Sequence, residues 1–131
     1  MKSLYLTVDS LALKAEEPTD ITLYLDETLP SNFDRVGLRS ITISQPVQDH
    51  FYYVHCDLLN KDDNLFNGEK SDILVYFVVN QSKKFVSHKF GGILHKNLKS
   101  SDFTSIRLTL KDRHGMVVKL QHVTYELEFI K

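Results

Sequence analysis

The end of the chain decides the fold, above all the stretch Val123-Thr124-Tyr125-Glu126-Leu127-Glu128-Phe129. Apolar and polar side chains alternate along it, as they do in a β-strand that buries one of its two faces. The same alternation occurs earlier in Ile106-Arg107-Leu108-Thr109-Leu110-Lys111. Asp112-Arg113-His114-Gly115 follows as a turn and leads into residues 116–120. This part of the chain therefore predicts antiparallel strands joined by tight turns.

Alternating segments recur toward the start of the chain. Residues 4–8, 20–26 and 50–59 each place apolar side chains at every second position. Each segment therefore predicts a strand with one face in the core. The inward-facing residues of these three segments are predicted to be Leu4, Leu6, Val8, Ile21, Leu23, Leu25, Tyr52, Val54, Cys56 and Leu58.

Five other segments have less regular patterns. Residues 36–44 change phase midway, which indicates either a bulge or a strand buried on both sides. Residues 73–79 are almost continuously apolar, as is typical of a strand covered on both faces. Residues 83–90 predict a shorter, weaker strand. The polar stretch 60–72 is predicted to be the longest loop, and Leu29-Pro30-Ser31-Asn32 is predicted to be a turn.

The composition favours strands over helices. Only two alanines occur, against eleven valines, seven isoleucines, eight threonines and fourteen aromatic residues. β-branched and aromatic side chains suit a pleated, half-buried surface, whereas a chain poor in alanine has few strong helix formers. Residues 1–131 therefore predict one all-β domain, an antiparallel jelly roll or β-sandwich of about eight strands.

Charge and hydropathy exclude several classes of protein. Sixteen basic and seventeen acidic residues leave a formal net charge of −1, without the basic excess of a general nucleic-acid binder. No apolar run approaches the ~20 residues that cross a bilayer, and the alternating start, Met1 to Asp9, predicts no signal peptide. The one cysteine, Cys56, excludes an internal disulfide framework and fits a reducing compartment.

Residues with metal-binding or nucleophilic chemistry are present but scattered. His55 and Asp57 share a strand face and could supply two metal ligands. The acidic residues 62–69 fail the EF-hand pattern because Leu65 would occupy a ligand position, so a solvated loop is predicted. Cys56 is predicted to be a core residue, since its neighbour His55 points to the opposite face. The six histidines are His50, His55, His88, His95, His114 and His122.

These patterns do not predict an enzyme. A jelly-roll enzyme such as a cupin needs clustered histidine and carboxylate ligands, and the histidines here have none of the spacings of known zinc sites. We therefore predict no catalytic, cofactor-binding or metal-binding residue. The middle of the chain is mildly basic, and edge lysines that discourage strand pairing explain this better than a nucleic-acid groove. These lysines are Lys83, Lys84, Lys89, Lys96 and Lys99.

Several aromatic residues fall in the outward phase of their strands. Phe51 and Tyr53 share a face with His55, opposite the face predicted to be buried. The strand is therefore either central in the sandwich or in contact with a partner. With Tyr24 and Tyr76, these residues could form an aromatic platform, which favours a β-sandwich module that binds a carbohydrate or a protein partner.

The order of segments resembles the C-terminal part of penton-like capsid proteins of Polinton (Maverick) elements, virophages and adintoviruses. In that family an aromatic strand ending in Cys-Asp precedes a leucine-rich strand, a Phe-x-x-Ile strand, an Asp-x-x-Gly turn and a closing strand. An earlier strand has a valine, small residue, leucine pattern. The matching segments here are Ile21 to Leu25, Val36 to Ile43, Phe51 to Leu59, Asp72 to Val78, Val86 to Phe90, Phe103 to Leu110, Asp112 to Gly115 and Tyr125 to Phe129.

The resemblance implies a structural virion protein. It would be a single jelly roll that self-associates around a symmetry axis, as a pentamer or alternatively a trimer, and contacts a double-jelly-roll major capsid protein. The expected location is the capsid of the virion, after synthesis in the host cytoplasm or nucleus. A vertex, minor-capsid or spike role stays open, and the family implies no catalytic residue.

Overall fold

The computed structural model describes residues 3–25, 33–44, 46, 50–79 and 83–131. The turn predicted at residues 29–32 lies outside them. Among the described residues, no helix has the length and apolarity to span a membrane. The elements are β1 (Ser3–Asp9), β2 (Asp20–Tyr24), β3 (Arg35–Ser44), β4 (Phe51–Cys56), a 3-10 turn (Lys61–Asp63), β5 (Leu65–Phe66), β6 (Glu69–Lys70), β7 (Ile73–Val78), β8 (Phe85–Lys89), β9 (Lys96–Asn97), β10 (Ser105–Lys111) and β11 (Val123–Ile130).

The long strands form two antiparallel sheets. One has the order β1-β11-β3-β8, with the short β9 also paired to β3, and the other has the order β2-β10-β4-β7. Among the eight long strands, the first pairs with the last, the second with the seventh, the third with the sixth and the fourth with the fifth. This nested pairing, rolled into two facing sheets, is a jelly roll. The predicted fold class is confirmed.

The core lies between the sheets and is built from the predicted alternation. The inward side chains of β11, from Val123 to Phe129, are fully buried against those of β4 and β10. β3 makes the predicted bulge: Ser40 pairs with Glu126 but Leu38 pairs with Leu127, so Arg39 is the extra residue. This shift lets both apolar phases of β3 face the core.

The small residue between Val36 and Leu38 is Gly37, and close packing explains why no side chain fits there. A Cβ at this position would lie 2.5 Å from Ile93 Cγ2 and 3.2 Å from the carbonyl oxygen of Leu94. The segment that connects β8 to β9 therefore packs directly on the β3 backbone.

Two sequence expectations are wrong in detail. β7 is an edge strand rather than one covered on both faces, and Tyr76 projects from it with 51% of its surface exposed. Its continuous apolar pattern includes the outward Tyr76 because this residue takes part in an aromatic cluster on the sheet surface. The 60–72 stretch is not simply a loop, since it forms the 3-10 turn and the β5–β6 hairpin.

One polar atom in the core lacks a partner. Tyr125 is fully buried, and its hydroxyl makes no hydrogen bond within the described part of the chain. Burial raises the pKa of this hydroxyl above its ordinary value of 10.0. A buried hydroxyl without a hydrogen bond loses its interaction with water and regains nothing.

Tyr125→Phe should therefore stabilise the protein. We expect the free energy of unfolding to rise by about 1 kcal/mol, because the substitution removes the unsatisfied hydroxyl and keeps the ring. Urea unfolding at one fixed protein concentration measures it. Tyr24→Phe, where the hydroxyl is exposed, is the control and should change stability by less than about 0.5 kcal/mol. A less stable Tyr125→Phe would show that the hydroxyl has a partner in solution.

Candidate functional site

Four aromatic side chains cluster on the outer face of the sheet β2-β10-β4-β7. This aromatic platform consists of Phe51, Tyr53, Phe66 and Tyr76. Tyr53 and Tyr76 are cross-strand partners, and their rings stack with centroids 5.6 Å apart. Phe66 meets both rings edge-on, at 5.7 and 5.6 Å, and Phe51 lies 6.5 Å from Tyr76. Because Tyr76 is about half exposed, the platform is open to solvent.

The β5–β6 hairpin places Phe66 over the sheet. Its turn residues, Asn67 and Gly68, have φ values of 51° and 82°, which a tight two-residue hairpin turn requires and which Asn-Gly readily adopts. Asn64 ties the hairpin to β7, since its side-chain amide donates to the carbonyls of Ser71 (2.8 Å) and Ile73 (3.0 Å). The hairpin is therefore anchored at its base beside the platform.

A polar network lies next to the platform on the same face. Arg107 donates from Nε and Nη2 to the two carboxylate oxygens of Asp20, at 2.9 and 2.8 Å. Thr109 Oγ1 donates to Asp20 Oδ1 at 3.2 Å, and Asp57 Oδ1 accepts from the backbone N–H of Arg107 at 2.9 Å. The Arg107 guanidinium holds the pKa of Asp20 below its ordinary value of 3.8. Paired arginine and aspartate in this fork geometry hold each other in one orientation.

A bulge brings a second pair into the network. The register between β4 and β7 shifts between Val54 and His55. This shift sets the residue before β7 against the end of β4, where the backbone N–H of Cys56 donates to the carbonyl of Asp72 at 2.9 Å. Asp72 Oδ1 then lies 2.6 Å from His55 Nδ1. The hydrogen bond with His55 holds the pKa of Asp72 below its ordinary value of 3.8, although partial burial opposes this.

These side chains surround a small pocket. Its volume is ≈ 210 Å³, and Val117 from the segment after β10 forms part of its wall. Two carboxylates and two cations line it, so its formal charges balance. The polar lining residues are His55, Asp57, Asp72, Arg107, Thr109 and Lys111.

Two other histidines, next to the opposite sheet, are paired with carboxylates in the same way. His95 Nε2 lies 2.5 Å from Glu128 Oε1, and His122 Nε2 lies 2.7 Å from Asp9 Oδ1. Burial would raise the pKa of Glu128, but hydrogen bonds with Tyr5 and His95 outweigh it and lower the pKa. Within the described ranges, no three histidine, cysteine or acidic residues lie together in a way that could hold a metal ion.

The residues singled out in the sequence are only partly brought together. Phe51, Tyr53 and Tyr76 meet in the platform, but Tyr24 lies at the other end of the sheet, opposite Ser105. Since Tyr53 lies opposite Lys111, the separation along β10 is six residues, or ~20 Å. His55 and Asp57 line the same pocket, but the carboxylate that is hydrogen-bonded to His55 is Asp72.

Cys56 and the lysines occupy structural positions. Cys56 is fully buried in the core, as predicted, and burial raises the pKa of its thiol to about 12. Lys89 and Lys96 lie in β8 and β9, which form the edge of their sheet beside β3. Lys96 also donates to the carbonyl of Ile73 at 2.8 Å, which links the two sheets.

The site residues that the sequence did not single out are Phe66, Asp20, Asp72, Arg107, Thr109, Lys111 and Val117. Phe66 had a recognisable signal, because the apolar pair Leu65-Phe66 directly before Asn67-Gly68 is typical of a hairpin. Asp72 had none, since its position beside His55 depends on the β4–β7 bulge.

Known proteins offer little guidance on function. No protein-family model and no curated protein matches the chain. Among solved structures, the chain is similar to the crystal structure of the Drosophila NLP-core, with 10% sequence identity and a TM-score of 0.44 over 99% of this chain and 98% of that one. That structure is described as giving insight into pentamer formation and histone binding. A likeness this weak carries no argument about the assembly or the partners of the present chain.

The His55–Asp72 pair should make stability depend on pH in the acid range. Because the pKa of Asp72 is lower in the folded protein than its ordinary 3.8, the pair stabilises the fold above that pH. This contribution is lost as pH falls through the folded pKa. Asp72→Asn should therefore reduce the free energy of unfolding at pH 5 by about 1–2 kcal/mol.

The difference in the free energy of unfolding between the Asp72→Asn variant and the unsubstituted protein should shrink as pH falls below 3.8. Urea unfolding from about pH 5 to about pH 2.5 measures it, and Asp63→Asn, on the exposed 3-10 turn, is the control. A difference that stays constant down to the lowest pH would show that the ionised Asp72 carboxylate does not stabilise the fold.

Proposed function

We propose that the protein is a structural component of a virus particle. In this role it is a penton-like or minor-capsid jelly roll that assembles with copies of itself at the capsid vertex and contacts the major capsid protein. The proposed place of the protein is the virion, after synthesis in the host cytoplasm or nucleus. The role requires no catalysis, because its contribution is the shape and contacts of the domain.

The observation that carries the proposal is the strand order. The sheets β1-β11-β3-β8 and β2-β10-β4-β7 form the single jelly roll that the resemblance to penton-like proteins implies. The fold alone does not determine a function. The proposal therefore also rests on the resemblance, whose segments form β2, β3, β4, β7, β8, β10 and β11 in that order.

One end of the sandwich offers a surface for assembly. The β1–β2 and β10–β11 connections meet there, since Thr19 Oγ1 donates to the carbonyl of Val118 at 2.6 Å. Leu11 and Met116, one on each connection, are 65% and 66% exposed. We place the contact between copies at these two loops, where another protein chain would cover the exposed apolar side chains. A ring requires such a contact to repeat around a closed axis.

The solution mass tests this proposal. Light scattering after size exclusion, across a concentration series, should give a discrete species of about five times the 15.2 kDa chain mass. A trimer would favour a spike or minor-capsid role. Leu11→Ser with Met116→Ser should lower the mass toward the monomer, because polar side chains weaken an apolar contact. Leu94→Ser is the matched control, as Leu94 is similarly exposed (68%) and lies between β8 and β9. A monomer at all concentrations, alone and with a major capsid protein, would contradict the proposal.

A second candidate function is a β-sandwich module that binds a carbohydrate or a protein partner. The observation that favours it is the aromatic platform, in which Phe51, Tyr53 and Tyr76 meet as a platform would require. This surface lies on a sheet face, whereas Leu11 and Met116 lie on loops between strands of different sheets. The two functions can therefore be tested by separate substitutions.

A further inference from the structure

The aromatic platform and the pocket adjoin on one sheet face. Tyr53 and His55 are alternate residues of β4, so both project from the same face about 7 Å apart. Lys111 lines the pocket and is also the cross-strand partner of Tyr53. One ligand can therefore contact the aromatic rings and the polar groups together.

The charges of the pocket favour an uncharged ligand. Asp57 and Asp72 face the same space as Arg107 and Lys111. For a phosphate, the attraction of the two bases is offset by the repulsion of the two carboxylates, and for a divalent cation the reverse holds, so neither gains much net Coulomb energy here. Hydroxyl groups can donate to the carboxylates and accept from the bases, so a neutral polyhydroxylated molecule satisfies all four.

Two of the polar groups are already held in place. Arg107 uses Nε and Nη2 on Asp20, and His55 uses Nδ1 on Asp72. Within the described part of the chain, this leaves Arg107 Nη1 and His55 Nε2 for a ligand. Side chains fixed in advance lose little freedom when a ligand binds, which favours affinity in a shallow site.

We propose that this face binds a neutral sugar. A pyranose ring has a face of C–H groups and an edge of hydroxyls, and these match the aromatic platform and the pocket respectively. The pocket volume of ≈ 210 Å³ equals that of about seven water molecules, which is comparable with one monosaccharide. The inference rests on the second candidate function and deepens it by choosing a neutral sugar over a protein partner and by locating the site, and it does not depend on ring assembly.

Saturation-transfer NMR of the full chain tests this proposal. The probes are the methyl glycosides of glucose, galactose, mannose and N-acetylglucosamine. Inorganic phosphate and Mg²⁺ are the charged comparisons, and their binding is monitored through the chemical shifts of the protein. At least one glycoside should bind, with a Kd on the order of 1 mM, and neither charged probe should shift the signals of the pocket residues.

Two substitutions locate the binding. Tyr76→Ala, which removes an exposed ring of the platform, should weaken binding of that glycoside at least about tenfold. Lys111→Gln, which removes a cation of the pocket, should also weaken it. Tyr24→Ala is the matched control: Tyr24 is exposed on the same sheet but lies ~20 Å from the platform, so binding should be unchanged.

Three results would overturn the proposal: no glycoside binding, a pocket that binds phosphate in preference to sugar, or equal effects of Tyr76→Ala and Tyr24→Ala. The solution mass of the same samples shows whether a failure to bind sugar is accompanied by a failure to assemble. A ring that binds no sugar would leave the assembly proposal standing. If the face with the aromatic platform and the pocket contacts another protein chain instead, no sugar should bind. In that case Tyr76→Ala should lower the solution mass, and the Leu11 and Met116 substitutions should not.

Discussion

The structure depends on the pairing of the last strand, β11, between β1 and β3. Leu127 pairs with Leu6 on one side and Leu38 on the other, so the C-terminal strand joins segments that are far apart in the sequence. Its inward residues, Val123, Tyr125, Leu127 and Phe129, are fully buried, and burying each large side chain contributes about 1.5–3 kcal/mol. Without β11, the first sheet would separate into β1 and the β3–β8 pair, and the opposite sheet would lose its cover.

Much of this fold could be predicted from the sequence because its signals are local. The alternation in β1, β2, β4, β10 and β11 identified the buried face of each strand, and the phase change in β3 identified its bulge. The position of β7 at the edge of its sheet, with an open outer face, could not be predicted in this way. A continuous apolar run is the same whether the outer face is covered by protein or, as at Tyr76, open beside an aromatic cluster. Strand order and edge position are set by long-range pairing, which periodicity does not report.

The candidate site was predictable only in its aromatic half. Outward-phase Phe51 and Tyr53 stood out because large apolar residues on a solvent face need a reason. The polar half depends on register. Asp20 reaches Arg107 because β2 pairs with β10, and Asp72 reaches His55 because of the β4–β7 bulge. Sequence spacing instead suggested His55 with Asp57, since residues two apart in a strand share a face. The paired residues are 17 and 87 positions apart, and such pairs are visible only in the folded chain.

Hydrogen exchange measures directly whether β11 holds the two sheets together. If β11 holds the jelly roll together, its backbone amides, which pair with β1 and β3, should exchange only through global unfolding. The free energy of exchange of the Val123–Ile130 amides, measured by NMR, should then equal the free energy of unfolding measured with urea. The amides of the β5–β6 hairpin should exchange much faster. Exchange of β11 amides as fast as those of the hairpin would contradict this role of β11, because it would show that the last strand detaches while the rest stays folded.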